Sequence, residues 1–222
     1  MATILLTGFE AFGNTPINPA EQVANALDGE TIDGAQVVSR IIPNTFFTCI
    51  DVVCAAIEEL RPETVVMMGE YGGRSMVTVE RIAQNLNDCT RYQLRDNAGR
   101  AMQGELTVPD GPAAYYATLP IRAMVKAMRE GGIPSDISDV TATFCCNHLM
   151  YGILHQIALK GWDIRAGWIH LPHLPEVAAL NHNLGAPSMS VETAAAGVRL
   201  GLAAIGAHAV DIDEPILSRQ QI

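Results

Sequence analysis

The chain has 222 residues, 49% of them hydrophobic and only 17% charged, which is enough to bury a sizeable core in one α/β domain. A formal net charge of -10, with 5% aromatic residues and no basic stripe, argues against nucleic-acid binding. No apolar run approaches the roughly 20 residues that a bilayer span needs, and five cysteines without CxxC spacing point to free thiols in a reducing cytoplasm. Residues 3–6 read as a strand that begins at once, without the basic leader of a signal peptide. Asn18-Pro19 opens a helix over 19–27, with proline at its first position. A strand at 37–42 precedes a helix at 46–60 whose apolar positions include Phe46, Ile50, Val53, Ile57 and Leu60. Residues 64–68 form a short, wholly apolar strand that ends at Gly69. Residues 76–95 are strand-like but polar and interrupted, and are expected to leave the main sheet. Residues 95–111, with Asp-Asn-Ala-Gly and Pro-Asp-Gly, read as irregular surface. Helices follow at 120–129, 147–159 and 191–205, the last capped by Ser190 with Glu192 in its first turn. Between them lie a buried strand running from Val140 to the two cysteines and a strand at 165–171. The alternation predicts a parallel or mostly parallel sheet with helices on both faces, in one domain spanning residues 1–222.

The segment Val140-Thr-Ala-Thr-Phe-Cys-Cys-Asn-His-Leu-Met-Tyr-Gly-Ile-Leu154 is the most informative of the chain. It places Cys146 at the carboxyl end of a strand and the amino end of a helix, the edge where open α/β sheets bind ligands. Free N–H groups and the helix dipole at that end lower a thiol pKa, so Cys146 is a candidate nucleophile. A buried structural cysteine is the competing reading, since free cysteine is among the most buried residue types. A nucleophile needs a base, and a third group to orient that base. His170 ends the strand Ala166-Gly-Trp-Ile-His170 and so reaches the same edge; an ordinary, partly buried histidine is the alternative. His148 lies two residues past the cysteine and is expected to point elsewhere, and His155 is expected on a helix surface. His173 with His170 makes a weak zinc pair with no third ligand nearby. Glu80 stands in the run Met76-Val-Thr-Val-Glu-Arg-Ile82, where a carboxylate is costly unless paired. Its partner is either Arg81 or Arg74 in a salt bridge, or His170. Glycine turns follow the first strand, in Thr7-Gly-Phe-Glu-Ala-Phe-Gly13, and the third, in Gly69-Glu-Tyr-Gly-Gly-Arg74. Neither is a phosphate loop. Phe9 and Phe12 in the first turn suit a small, flat, apolar-faced ligand, or else simply pack in the core.

Together these residues resemble the pyroglutamyl-peptidase I (pyrrolidone-carboxylate peptidase) family of cysteine peptidases. The similarity rests on four ordered blocks: Leu6-Thr-Gly-Phe-Glu-Ala-Phe-Gly13 with Asn18-Pro19; Gly72-Gly-Arg74 with Val77-Thr-Val-Glu-Arg81 and Asn85; Phe144-Cys-Cys-Asn-His-Leu-Met-Tyr-Gly152; and Ile169-His-Leu-Pro172 with Leu174-Pro-Glu176. The resemblance implies a three-layer α/β/α sandwich around a mostly parallel or mixed sheet, similar to the purine nucleoside phosphorylase-like fold. It implies Cys146 as nucleophile, His170 as base and then acid, and Glu80 as the group that orients His170, with no cofactor or metal. It implies that Phe9, Phe12 and Phe144 line a pyrrolidone pocket, that Asn18 and backbone near Glu70 bond the lactam, and that Thr45 joins the wall. Cys145 stands beside the nucleophile where the family has a small aliphatic residue. Glu70 and Tyr71 replace the family's Gln-Ala. The family's oxyanion arginine falls nearest Arg91, in Asp88-Cys-Thr-Arg-Tyr-Gln-Leu-Arg-Asp-Asn97. The implied substrate is a peptide with an N-terminal pyroglutamate, cleaved in the cytoplasm by a homo-oligomer, tetramer or dimer. The Glu70 side chain is expected to point away from the pocket. Two other classes fit the same sheet: a nucleoside phosphorylase-like enzyme, which would need a basic phosphate cluster, and a small-ligand binding protein without catalysis.

Overall fold

The computed structural model describes residues 2–218. Strand β1 (Ala2–Phe9) is the apolar opening of the chain, and it lies between β3 (Ala35–Ile42) and β4 (Thr64–Glu70), parallel to both. Beyond β4 comes β9 (Arg165–Leu171), also parallel, then β5 (Val77–Glu80), antiparallel to β9, and β8 (Ser135–Ser138), parallel to β5. The short β2 (Thr31–Ile32) pairs antiparallel with β3 at the opposite edge. The sheet therefore has seven strands in the order β2-β3-β1-β4-β9-β5-β8 and is mixed. Every residue of β4, and all of β9 but its first, is buried, as continuous apolar strands must be when helices cover both faces.

One face carries α1 (Pro19–Leu27), α3 (Ile121–Glu130) and, after the one-turn α5 (Pro175–Ala178), α6 (Val191–Ala207). α3 buries Ile121, Met124, Val125 and Met128, the spacing of a single apolar stripe. The other face carries α2 (Thr48–Leu60) and α4 (Cys145–Lys160). α4 buries all residues from Cys145 to Leu154, so its first half is an interior helix rather than an amphipathic one. Together these layers form the three-layer α/β/α sandwich. Among the described residues no helix is long and apolar enough to cross a membrane.

Four local expectations are corrected. The segment from Val140 to the cysteines is not a strand. The strand lies earlier, at β8, and residues 139–144 form a loop with Ala142 in the left-handed region, φ 65°. Its β-branched residues satisfy backbone groups with hydroxyls instead of a ladder. Thr141 Oγ1 donates to the Ile82 carbonyl at 2.6 Å, and Thr143 Oγ1 to that of Asp88 at 2.9 Å. α4 accordingly begins at Cys145, two residues before Asn147, which puts Cys146 inside the first turn. α2 begins at Thr48 rather than Phe46, because Phe47 holds a positive φ of 65°. Finally, only part of residues 76–95 leaves the sheet. β5 stays in it, while β6 (Ile82–Gln84) pairs with β7 (Ala114–Tyr116) in a separate two-stranded sheet. Hydropathy could not separate β5 from β6, since what divides them is the sheet into which each hydrogen-bonds.

Candidate active site

Strand register brings the site together. Gly69 at the end of β4 sits opposite His170 on β9, and a Cβ on Gly69 would lie 2.9 Å from Cys146 Sγ and 2.7 Å from the Trp168 ring. Only glycine there lets the first turn of α4 press its thiol against the strand beside His170. On the other side of β9, the antiparallel β5 pairs Thr78 with His170 and Glu80 with Trp168. Glu80 thus lies diagonally across from His170 on the same face. His170 Nδ1 is 2.8 Å from Glu80 Oε1. A carboxylate only accepts, so Nδ1 carries the proton and Nε2 keeps its lone pair, the state of a base.

Glu80 is fully buried and has a second partner. Arg74 Nη1 donates to Glu80 Oε1 at 2.7 Å and to Thr78 Oγ1 at 2.5 Å, while Nη2 donates to Ser138 Oγ and the Val140 carbonyl. Arg81 pairs instead with Asp139. The readings that the sequence sets against each other, salt bridge and histidine partner, hold together on one oxygen. Burial by itself would raise the Glu80 carboxyl; the bond and charge of His170 and then the charge of Arg74 outweigh it and hold Glu80 below the usual carboxylate range.

Cys146 and His170 line one cavity of about 320 Å3, at the small end of ligand sites. Phe12, Phe144, Tyr92 and Leu94 give it apolar surface. Phe144 packs 5.8 Å from Phe12 and edge-on against Phe46 at 5.5 Å. The loop after β4 contributes Glu70, Tyr71 and Gly72, and the 139–144 loop contributes Thr141 and Ala142.

The thiol environment departs from expectation. A helix start lowers a thiol pKa, but at Cys146 burial pushes it up, and the charges of Glu80, then Cys49 and Glu70, push the same way. His170 is pushed down, first by burial, against the opposing bond and charge of Glu80. Low dielectric disfavours both charged forms, so the resting pair is a neutral thiol and a neutral imidazole. The arrangement is chemically suited to removing the thiol proton as attack occurs.

The remaining predicted residues divide. Phe12, Phe144 and Glu70 reach the cavity; Phe9, Asn18, Thr45, Arg91 and Cys145 lie outside its lining. Phe9 packs on Trp168 at 5.7 Å, beneath the site. The Asn18 side chain is used at both ends: Oδ1 caps α1 by accepting from the Ala20 N–H at 2.9 Å, and Nδ2 donates to the Glu10 carbonyl at 3.0 Å. Thr45 lies in the turn into α2, where its carbonyl accepts from the Cys49 N–H. Arg91 is exposed, its guanidinium over the Tyr92 ring. Cys145 is fully buried in the core shared by α2 and α4, and burial raises its pKa strongly. The Glu70 carboxylate, expected to turn away, is buried at the cavity and held by His173, with Oε1 and Nδ1 2.7 Å apart. His173 is thereby a carboxylate partner, and among the described residues no three His, Cys, Asp or Glu side chains converge as a metal site would require. Tyr92, Leu94 and Ala142 were missed. They stand in irregular segments whose folding onto the site depends on tertiary contacts and leaves no periodic pattern.

His148 does point away from the cavity. It is fully buried, accepts the Phe47 N–H at Nε2 (2.9 Å) and so donates from Nδ1 to Thr107 Oγ1 (3.0 Å). It thereby holds Phe47 at its positive φ at the start of α2. His155, expected on a helix surface, is half-buried and bonds the Tyr115 hydroxyl at 2.9 Å. Burial, with a smaller contribution from Arg100, lowers the His148 pKa to about 4. Because the folded value lies below the unfolded one, near 6.5, the unfolded chain binds more protons in that window and stability falls as the pH drops from about 6.5 to about 4. The loss attributable to His148 is expected to reach about 3 kcal/mol. Urea unfolding of wild type and His148→Gln at pH 7 and pH 4.5 checks this. The variant should show the flatter pH dependence, and equal slopes would remove His148 as the cause.

A buried thiol, a neutral imidazole and a carboxylate that orients it, set around a small apolar cavity on an α/β sheet, have the makings of a thiol-dependent hydrolase. Comparison with known proteins gives the family. A family model described as pyroglutamyl peptidase matches residues 2–208. A pyrrolidone-carboxylate peptidase of Mycobacterium tuberculosis is 61% identical over 222 residues, covering all of both chains, and one of Cupriavidus taiwanensis is 43% identical over 96% of this chain and 97% of its own. The crystal structure of Bacillus amyloliquefaciens pyroglutamyl peptidase I superimposes with a TM-score of 0.90 at 34% identity, over 96% of this chain and 100% of that one. The pyrrolidone carboxyl peptidase of Thermococcus litoralis gives 0.91 at 35% identity, over 97% and 100%. The chain belongs to the pyroglutamyl peptidase family.

Proposed function

We infer that this chain removes N-terminal pyroglutamate from peptides, with Cys146 as nucleophile, His170 as general base and acid, and Glu80 as the group that orients His170. The observation that carries the assignment of roles is the Glu80–His170 bond beside a thiol lining the same cavity. His170 Nε2 takes the thiol proton as sulfur attacks the pyroglutamyl carbonyl. It returns that proton to the departing amine, a contribution of roughly 10²–10⁴-fold. Water, deprotonated by the same nitrogen, then hydrolyses the thioester and releases pyroglutamate and the free thiol. The first N–H groups of α4 have no intrahelical acceptor and lie beside Cys146, which suits them to the oxyanion. Arg91 was the other candidate for that role; its exposure and its stacking on Tyr92 favour the helix N–H groups over it.

The lactam is uncharged, and the cavity lining of Phe12, Phe144, Tyr92 and Leu94 offers no partner to an ammonium. Glu70 is the one nearby carboxylate on the lining, and His173 already holds it. Uncyclised glutaminyl amides bring an ammonium whose unpaired burial costs several kcal/mol. Matched amides are therefore expected to differ in kcat/KM by about a thousandfold or more in favour of pyroglutamyl. Comparable values would refute the neutral lactam pocket. The free state of all five cysteines supports a cytoplasmic setting. The family resemblance supports a homo-oligomer, tetramer or dimer, and light scattering tests that directly.

A further inference from the structure

Tyr71 is the residue whose role the triad leaves unassigned. It follows β4, lines the cavity, and its ring centroid lies 5.2 Å from that of His170 with the planes at 81°. Edge-to-face pairs of this kind hold aromatic rings in a fixed relation. The ring is itself held from another side. The Arg74 N–H bonds the Tyr71 carbonyl at 3.4 Å across a four-residue turn, with Gly73 at φ 89° in the third position, where a type II turn needs a positive φ. That turn folds Arg74 back so that its guanidinium carbon sits 3.7 Å from the centroid of the Tyr71 ring. The same guanidinium bonds Glu80, Thr78, Ser138 and the Val140 carbonyl and cannot easily move. The chain Glu80–Arg74–Tyr71–His170–Glu80 therefore closes on itself.

We propose that Tyr71 is a positioning residue for His170, its ring clamped by Arg74 so that it fixes the imidazole and shields it from water. The proposal rests on the assignment of His170 as base, but the contact itself is testable without turnover. The groups that bear on His170 are Glu80 from β5, Arg74 and Tyr71 from the loop after β4, Cys146 from α4, and the Glu70–His173 pair on the same cavity. All but Tyr71 are unchanged in the variants below, so a difference in the His170 titration reports on the ring.

The experiment compares wild type, Tyr71→Phe, Tyr71→Ala and Tyr71→Gln, each checked for an unchanged thermal midpoint. The His170 imidazole is titrated by nitrogen NMR, and kcat/KM for a pyroglutamyl amide is measured across the same pH range. Removing the ring admits water and relieves the burial that disfavours the imidazolium. The alanine and glutamine variants should titrate about half a unit to one unit higher than wild type, the acid limb of kcat/KM should move up with them, and kcat at pH 7 should fall about three- to tenfold. Phenylalanine should match wild type, since the ring and not the hydroxyl does the work. An unchanged or lowered His170 titration in the alanine and glutamine variants would overturn the proposal, and so would a phenylalanine variant that behaves like alanine. Absent turnover in wild type with the expected NMR shifts would instead overturn the peptidase reading and leave the contact standing.

Discussion

Replacing Cys146 with alanine is expected to abolish hydrolysis of a pyroglutamyl amide, by at least about a thousandfold, because members of a catalytic triad act as a unit. Cys145→Val should retain most of the activity. The two thiols are adjacent in sequence yet differ in environment. Cys146 lines the cavity beside Gly69, whereas Cys145 is wholly buried against the α2–α4 core and lines no part of it. Valine fills the Cys145 site with slightly more apolar volume and no polar group, a change that costs about 1 kcal/mol. Steady-state kinetics on the two variants, with thermal midpoints as control, is the check. An active Cys146→Ala enzyme beside an inactive Cys145→Val enzyme would reverse the assignment.

Glu80 carries the second large effect, because one carboxylate serves two masters. Glu80→Gln keeps the shape but removes the charge that Arg74 neutralises, and it offers an N–H where His170 Nδ1 needs an acceptor. Its activity should fall by two to four powers of ten through loss of the correct tautomer, by analogy with the loss of about 10⁴ measured when a triad aspartate is replaced by asparagine. Glu80→Ala should also lose stability, since it strands a guanidinium that is only 10% exposed. Breaking a buried pair in this way costs about 3–5 kcal/mol, which at this chain length lowers Tm by roughly 10 °C. Calorimetry on both variants separates the effects. A Glu80→Ala protein with an unchanged Tm would show that Thr78 and Ser138 suffice to hold Arg74.

Part of the candidate site is legible in the sequence. β9 was read to the residue because its apolar run is continuous and bounded, and with it came His170 at the sheet edge. Residue types at the ends of elements made Cys146 and His170 candidates and left the partner of Glu80 open; the three roles came with the family resemblance. Two kinds of information were not legible. One is where hydroxyls replace a ladder: residues 139–144 look like a strand because threonines favour strands, yet Thr141 and Thr143 spend their side chains on the Ile82 and Asp88 carbonyls. The other is competition between opposing terms at one atom. A helix start lowers a thiol pKa and burial raises it, and only the packing of α4 under Gly69 decides which prevails at Cys146. Asn18 illustrates the same limit. Its sequence position beside a proline is that of a helix cap, and the structure uses Oδ1 in that role and Nδ2 on the Glu10 carbonyl.

The central claim is that a pyroglutamyl group passes through a thioester on Cys146, and it is tested most directly by trapping that species. Enzyme quenched in acid during turnover of a pyroglutamyl amide, then digested and mapped by mass spectrometry, is expected to carry the pyroglutamyl mass on Cys146 and on no other cysteine. The label found on Cys145 or Cys49 in place of Cys146 would contradict the account.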